Sequence, residues 1–211
     1  MKEEITGIIG ETIIGDISMS MIIDRLPYYV EIKGKRYKID VDYRIMLKFE
    51  MIMQDTSIED SEKILKSLRL FYPAFFEILN GGKEVIDEAI ERMLWFYKCG
   101  REQENHKQKK KGSKGSSRPI YSYELDDQYI FSAFWHDYRI DLTKDKIHWW
   151  KFKAFELGLS DTTQYEKIKS YRSYEGKDKD MKDLKDYWQL PMPKSITEEA
   201  DAIAEKLMKK G

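Results

Sequence analysis

From Tyr28 to Ile39 apolar and polar side chains alternate, with Tyr28, Val30 and Ile32 before Lys33-Gly34 and Tyr37 and Ile39 after it. A period of two on both flanks of a glycine-bearing pair predicts a β-hairpin with one apolar face. A lone hairpin is marginal in water, so that face must rest on helices. After Asp42, which is placed to cap, the period becomes helical: Ile45, Leu47, Phe49, Ile52 and Met53 predict a helix over 43–54. Ile64, Leu65 and Leu68 predict a second over 58–71, and Pro73 breaks the chain before a short segment at 74–79. Asn80-Gly81-Gly82 reads as a turn, and Val85, Ile86, Ala89, Met93, Leu94 and Phe96 predict a helix over 83–98 that Gly100 is placed to end.

Residues 101–118 interrupt this pattern, for they contain no aliphatic or aromatic side chain and carry seven basic and two acidic groups, a local balance of +5. Nothing there can join a core, and glycine with serine makes the stretch a flexible linker. Helical periodicity resumes over 124–138, 145–157, 163–173 and 180–188, and Thr163 with Glu166 has the spacing of a capping box. Ser195 with Glu198 repeats that spacing before a last helix over 196–209, whose Ile196, Ala200, Ile203 and Leu207 form a narrow stripe. At the other end, isoleucine doublets between glycines over 1–20 predict a loose arm or an added strand. The fold class is therefore mainly α: a loose arm over 1–20, a β-hairpin on a helical bundle over 21–100, the basic linker over 101–118, and an all-α half over 119–211.

A chain of 211 residues can bury roughly 70% of the surface of its unfolded form, so a core needs no staples. The single cysteine, Cys99, falls in a helix-like run and reads as a buried thiol in a reducing compartment. No stretch approaches the roughly 20 apolar residues that span a bilayer, and the first residues lack the basic start of a secretory signal, which implies a cytoplasmic protein with no membrane partner. Charged side chains make up 36% of the chain but cancel to a formal −1, so any pull toward nucleic acid would be local to Lys107–Lys114, which has no interleaved aromatic for base stacking.

Candidate chemistry is sparse. His106, His136 and His148 have no zinc-like spacing, and the latter two adjoin Trp135 and Trp149 in predicted helices, where packing is their expected role. Phosphate-cradling and nucleophile-elbow strings are absent, and acidic pairs such as Asp126-Asp127 have many lysines to serve as partners. No enzyme activity, catalytic residue, metal or cofactor is expected. The aromatic richness of the second half exceeds what a small helical core requires, and aromatic side chains dominate interfaces as well as cores. Trp149, Trp150 and Phe152, with Tyr29 and Tyr37 on the hairpin, are the candidate interface positions, each with a core reading beside it.

Several strings resemble one known family. They include Leu26-Pro27 leading into Val30–Lys35, Asp42-Tyr43-Arg44, Phe96–Gly100, Ile120–Glu124, Ile140–Thr143, His148–Phe152, Gly158–Asp161 and Tyr171-Arg172-Ser173, in order over 22–193. The chain is similar to the phage "gene product fifteen" family of siphophages and prophages of Gram-positive bacteria. The resemblance implies a start near Met19 or Met21 and a gene between those of the major tail protein and the tape measure protein. It further implies a tail assembly chaperone in the host cytoplasm, whose partners are the tape measure protein and the tail-tube protein, and which binds amphipathic helices in an apolar groove. Two alternatives stand beside it: a permanent tail or neck component whose isoleucine-rich arm joins a neighbouring copy in a homo-oligomer, and a nucleic-acid-binding protein using the lysine loop.

Overall fold

The computed structural model describes residues 19–55, 57–101 and 119–190. The expectations for the arm, for the basic linker with His106, and for the capping box and helix after 190 fall outside these residues, all but the arm's last two positions and the linker's first. Strands β1 (Tyr29–Ile32) and β2 (Lys35–Lys38) form an antiparallel hairpin in which Val30 faces Tyr37. Lys33 and Gly34 both take positive φ, of 49° and 73°, the signature of a type I′ turn that matches the strands' right-handed twist. Val30, Ile32, Tyr37 and Ile39 are buried as the alternation requires, while Tyr28 stays half-exposed with its ring edge-on to His148.

Eight helices follow among the described residues: α1 (Tyr43–Gln54), α2 (Asp60–Phe71), α3 (Phe75–Asn80), α4 (Lys83–Tyr97), α5 (Asp127–Tyr138), α6 (Trp149–Leu157), α7 (Gln164–Ser173) and α8 (Lys179–Trp188). Asp42 caps α1 as expected, accepting from the Arg44 amide at 3.0 Å. Of the capping box at α7 one half forms: Thr163 Oγ1 accepts from the Glu166 amide, but the Glu166 carboxylate is bonded to Lys169. At the end of α4 the left-handed position belongs to Cys99, at φ 58°, with Gly100 one residue beyond. The Cys99 amide donates to Phe96 O and the Gly100 amide to Trp95 O, a complete Schellman closure. Cys99 is therefore a half-buried cap residue, not a helical one, and burial pushes its thiol up to about 11.

Residues from both sides of the 101–118 stretch contribute to one buried cluster, which runs from Val30 and Met46 through Phe71, Met93 and Phe96 to Phe134, Trp150 and Phe152. Two contacts explain why. The last carbonyls of α4 have no partner within the helix, and the indoles of α6 reach them: Trp149 Nε1 donates to Tyr97 O and Trp150 Nε1 to Phe96 O, both at 2.8 Å. Beside them Val41 O accepts from the Trp149 amide, and Ile147 O from the Tyr43 amide, so α1 and α6 begin side by side in a short antiparallel bridge. Helix α6 consequently starts at Trp149, four residues later than the periodicity predicts, because 147–148 are extended.

A buried ion pair closes the far end. Arg172 of α7 grips Asp126, which precedes α5, at 2.6 and 2.9 Å, and donates also to Ile120 O and Trp188 O. Both side chains are sealed from solvent, and breaking such a pair from one side leaves an uncompensated charge that costs about 3–5 kcal/mol. Arg172→Met is expected to lose that order of stability in urea unfolding, and the further change Asp126→Leu to recover part of it; a single variant as stable as the parent would refute this account of the pair.

Candidate functional site

The five candidate interface side chains do not lie together on the surface. Trp149, Trp150 and Phe152 are fully buried and Tyr37 nearly so, because α6 is threaded through the middle of the fold and its rings are consumed there. Trp149 stacks on Tyr97 and Phe152, Trp150 packs edge-on to Trp95, and the Tyr37 hydroxyl donates to Glu77 at 2.9 Å. These four are core residues in this conformation. Tyr29 alone is open, at 43% exposure, with the Arg36 guanidinium 4.2 Å from its ring centroid.

Polar groups that the pattern of apolar residues passes over sit among those rings. Glu50 of α1 and Glu156 of α6 are both buried. Glu50 accepts from the Tyr97 hydroxyl at 2.8 Å, and Glu156 from the hydroxyls of Tyr123 and Tyr165 at 2.9 and 3.1 Å. Lys153 joins them, donating to Tyr123 at 2.9 Å and to Glu156, with its ammonium 5.5 Å from the Trp149 ring centroid. Burial drives Glu50 up to about 7 and lifts Tyr97, Tyr123 and Tyr165 well above the usual phenol range. Glu50 carries a readable signal: with Met46, Phe49 and Met53 it completes the i, i+3, i+4, i+7 face of α1, a core position held by a carboxylate.

His148 is likewise structural. It stands before α6 rather than within it; its Nδ1 accepts from the Trp150 amide at 3.1 Å and its Nε2 lies 3.0 Å from Pro27 O. That pair of partners fits the neutral ring with the proton on Nε2, and burial lowers its pKa. His136 is exposed, beside Asp137. Among the described residues no three or more of His, Cys, Asp and Glu are gathered as a metal would require, and no helix is long and apolar enough to cross a membrane.

The concave feature with chemistry to offer is an apolar groove of about 400 Å3 between α1, α5 and the loop before α6. Leu47 of α1, Ile130 and Phe131 of α5, and Leu142 form its walls, and Asp127, Gln128 and Thr143 its polar rim. Tyr43 and Phe152, stacked at 4.6 Å between centroids, make the floor. The loop is fastened to α1, since Leu142 O accepts from the Tyr43 hydroxyl and from Arg44 Nη2, each at 2.7 Å. The walls are thus preformed, and a groove of this kind suits apolar side chains presented by a helix. A smaller cleft of about 150 Å3 lies at Ile120, Arg172, Lys185 and Leu190, where the guanidinium is already engaged.

A family model described as "Bacteriophage Gp15 protein" matches residues 22–191. That is most of the chain, and the chain belongs to this family. No curated protein and no solved structure matches.

The buried Glu50 gives folding a pH dependence of defined sign. Its carboxyl holds a proton up to about 7 in the folded chain against 4.5 for the free group. A raised folded value means that this contribution is complete below the free pKa and is lost as pH rises through the folded one. Glu50→Gln is expected to remove a decline of about 3 kcal/mol over that window, read as the difference between the two proteins' unfolding free energies at mildly acidic and alkaline pH. His148, whose lowered pKa acts in the opposite sense, cancels in that difference. Parallel stability curves would contradict the assignment.

Proposed function

We propose that this member of the bacteriophage Gp15 family acts in tail morphogenesis as an assembly chaperone, gripping amphipathic helices of the tape measure protein in the groove between α1 and α5. It works in the cytoplasm of the bacterial host, by binding and not by catalysis, and hands the tape over to the tail-tube protein. The observation that carries this reading is the groove itself, an open apolar trough with a fixed floor and a polar rim in a chain whose other large aromatics are mostly consumed in its own core. Family membership supplies the phage setting.

A helix laid in such a groove presents anchors at i, i+3, i+4 and i+7. Here Leu47, Phe131 and Leu142 would meet the anchors, while Gln128 and Thr143 on the rim meet the polar flank of the helix. The volume suits two or three side chains and not a whole helix face, so each contact is weak. Many copies along one long tape add up by avidity and still come off one at a time as the tube grows. A second reading, a permanent tail or neck component, draws on Ile22 and Ile23, which are 94% and 83% exposed next to the isoleucine-rich arm and suit burial against a neighbouring subunit.

Co-expression with the tape measure protein and affinity capture tests the proposal. Capture of the tape is expected with the parent chain, with a loss of about tenfold or more in Phe131→Glu, as for a central apolar anchor, and no change in Tyr29→Ala. Thermal unfolding of each variant separates loss of binding from loss of fold, and mass spectrometry of mature particles is expected to find none of this chain. Undiminished capture by a folded Phe131→Glu variant would refute the groove as the site, and abundant copies in particles would favour the structural reading.

A further inference from the structure

We propose that the outer edge of β2 is a docking site for an extended acidic segment of a partner protein, which adds to the hairpin as a third strand. The proposal uses none of the groove's residues and stands apart from the reading given above.

The register decides which backbone groups face outward. The Ile39 amide donates to Tyr28 O, and in an antiparallel ladder the bonded pairs recur at every second residue, so Val30 with Tyr37 and Ile32 with Lys35 are bonded pairs too. The N–H and C=O groups of Arg36, Lys38 and Asp40 therefore point away from β1. Asp40 is provided for, since its amide donates to Phe71 O at 2.8 Å. The backbone groups of Arg36 and Lys38 that face outward have no partner among the described residues. The opposite edge is closed by α4: Arg92 Nε donates to Glu31 O, and the Lys33 amide to the Glu88 carboxylate, each at 3.0 Å. An edge with an unpaired row of donors and acceptors is a template for one more strand.

Side-chain charge selects the occupant. Three of the four residues of β2 are basic, Lys35, Arg36 and Lys38, so pairing with β2 of a second copy would set like charges against one another. Lys35 is already held by Glu77 of α3. Arg36 and Lys38 are exposed on the outer face of the hairpin, and among the described residues neither is in an ion pair. Glu31 stands opposite Arg36 in register but forms no ion pair with it; the guanidinium lies over the Tyr29 ring instead. Side chains two apart on an added strand would stand beside these two cations, and acidic ones are their complement. The residue between them turns to the core side, where Glu77 takes both Lys35 and the Tyr37 hydroxyl, so an uncharged side chain fits there. The pattern recognised is acidic, uncharged, acidic in extended backbone.

The experiment uses the full chain and a synthetic peptide in which glutamate alternates with valine, with a lysine–valine peptide as control. Amide hydrogen exchange is expected to find Arg36 and Lys38 fast in the free protein, beside slow Tyr37 and Ile39, and to slow the first two about tenfold or more when the glutamate peptide is added. Lys38→Pro removes an outward donor and no hairpin bond, and is expected to weaken that peptide about tenfold. Arg36→Glu with Lys38→Glu keeps the edge and is expected to reverse the preference toward the lysine peptide. Thermal unfolding checks each variant, and the exchange measurement on the parent chain decides the matter if Lys38→Pro does not fold. Slow Arg36 and Lys38 amides in the free protein would overturn the proposal, by showing the edge already covered, by a second copy if the slowing grows with concentration. Undiminished binding by a folded Lys38→Pro would overturn it as well, leaving charge attraction without strand pairing, and so would equal binding of the two peptides.

Discussion

The fold depends on two indole N–H groups. A helix end leaves carbonyls without a partner inside the helix; at α4 Tyr97 O takes one from Trp149, and Phe96 O, already bonded to the Cys99 amide, takes a second from Trp150. Both indoles are buried, so an indole N–H that lost its carbonyl would be stranded away from water and cost more than the bond's modest net value. The bonds also fix geometry, because each indole must lie along the α4 terminus to donate. Gly100 permits this: a Cβ there would lie 2.7 Å from Trp150 Cη2, and its φ of +67° is one that other residues resist. The Schellman turn of one helix and the first turn of another are thus a single packed unit.

From that unit the arrangement of the remaining elements follows. Once Trp149 and Trp150 are seated, residues 147–148 run extended past Val41 and Tyr43, and α1 and α6 start together. Phe152, one turn on, is then brought against Tyr43 and Phe134 at 4.6 and 5.0 Å between centroids. Tyr43 and Phe152 of that stack are the groove's floor, and the loop strapped to α1 by Arg44 and the Tyr43 hydroxyl is one wall. The candidate site is a by-product of how the core closes and not an appended loop.

Local signals in the sequence were strong where the structure is local. Alternation across Lys33-Gly34, the apolar period of α1, α2 and α4, and the caps at Asp42 and Thr163 all correspond to short-range physics. What the pattern could not separate was an aromatic ring that faces a partner from one that faces another part of the same chain. Trp149, Trp150 and Phe152 satisfy both descriptions until α4 is placed beside them. Glu50 and Glu156 were missed for a related reason: a carboxylate on a helix reads as solvated unless the whole apolar face is counted around it. The start of α5 at Asp127 and not Glu124 has a local cause that periodicity does not register, a turn in which Asp126 Oδ2 accepts from the Ser122 amide at 2.8 Å.

The polar network and the groove share a residue, and that ties folding to the site. Tyr123 lines the groove, while its hydroxyl donates to Glu156 and accepts from Lys153. A wall held only by apolar contact would be free to slide, since dispersion has little directionality; one held by hydrogen bonds in a low-dielectric interior is not. The same network continues through Glu156 to Tyr165 of α7, the helix whose Arg172 donates to Trp188 O. The groove's wall at Tyr123 is therefore tied to α6 and α7 by one connected set of buried polar bonds.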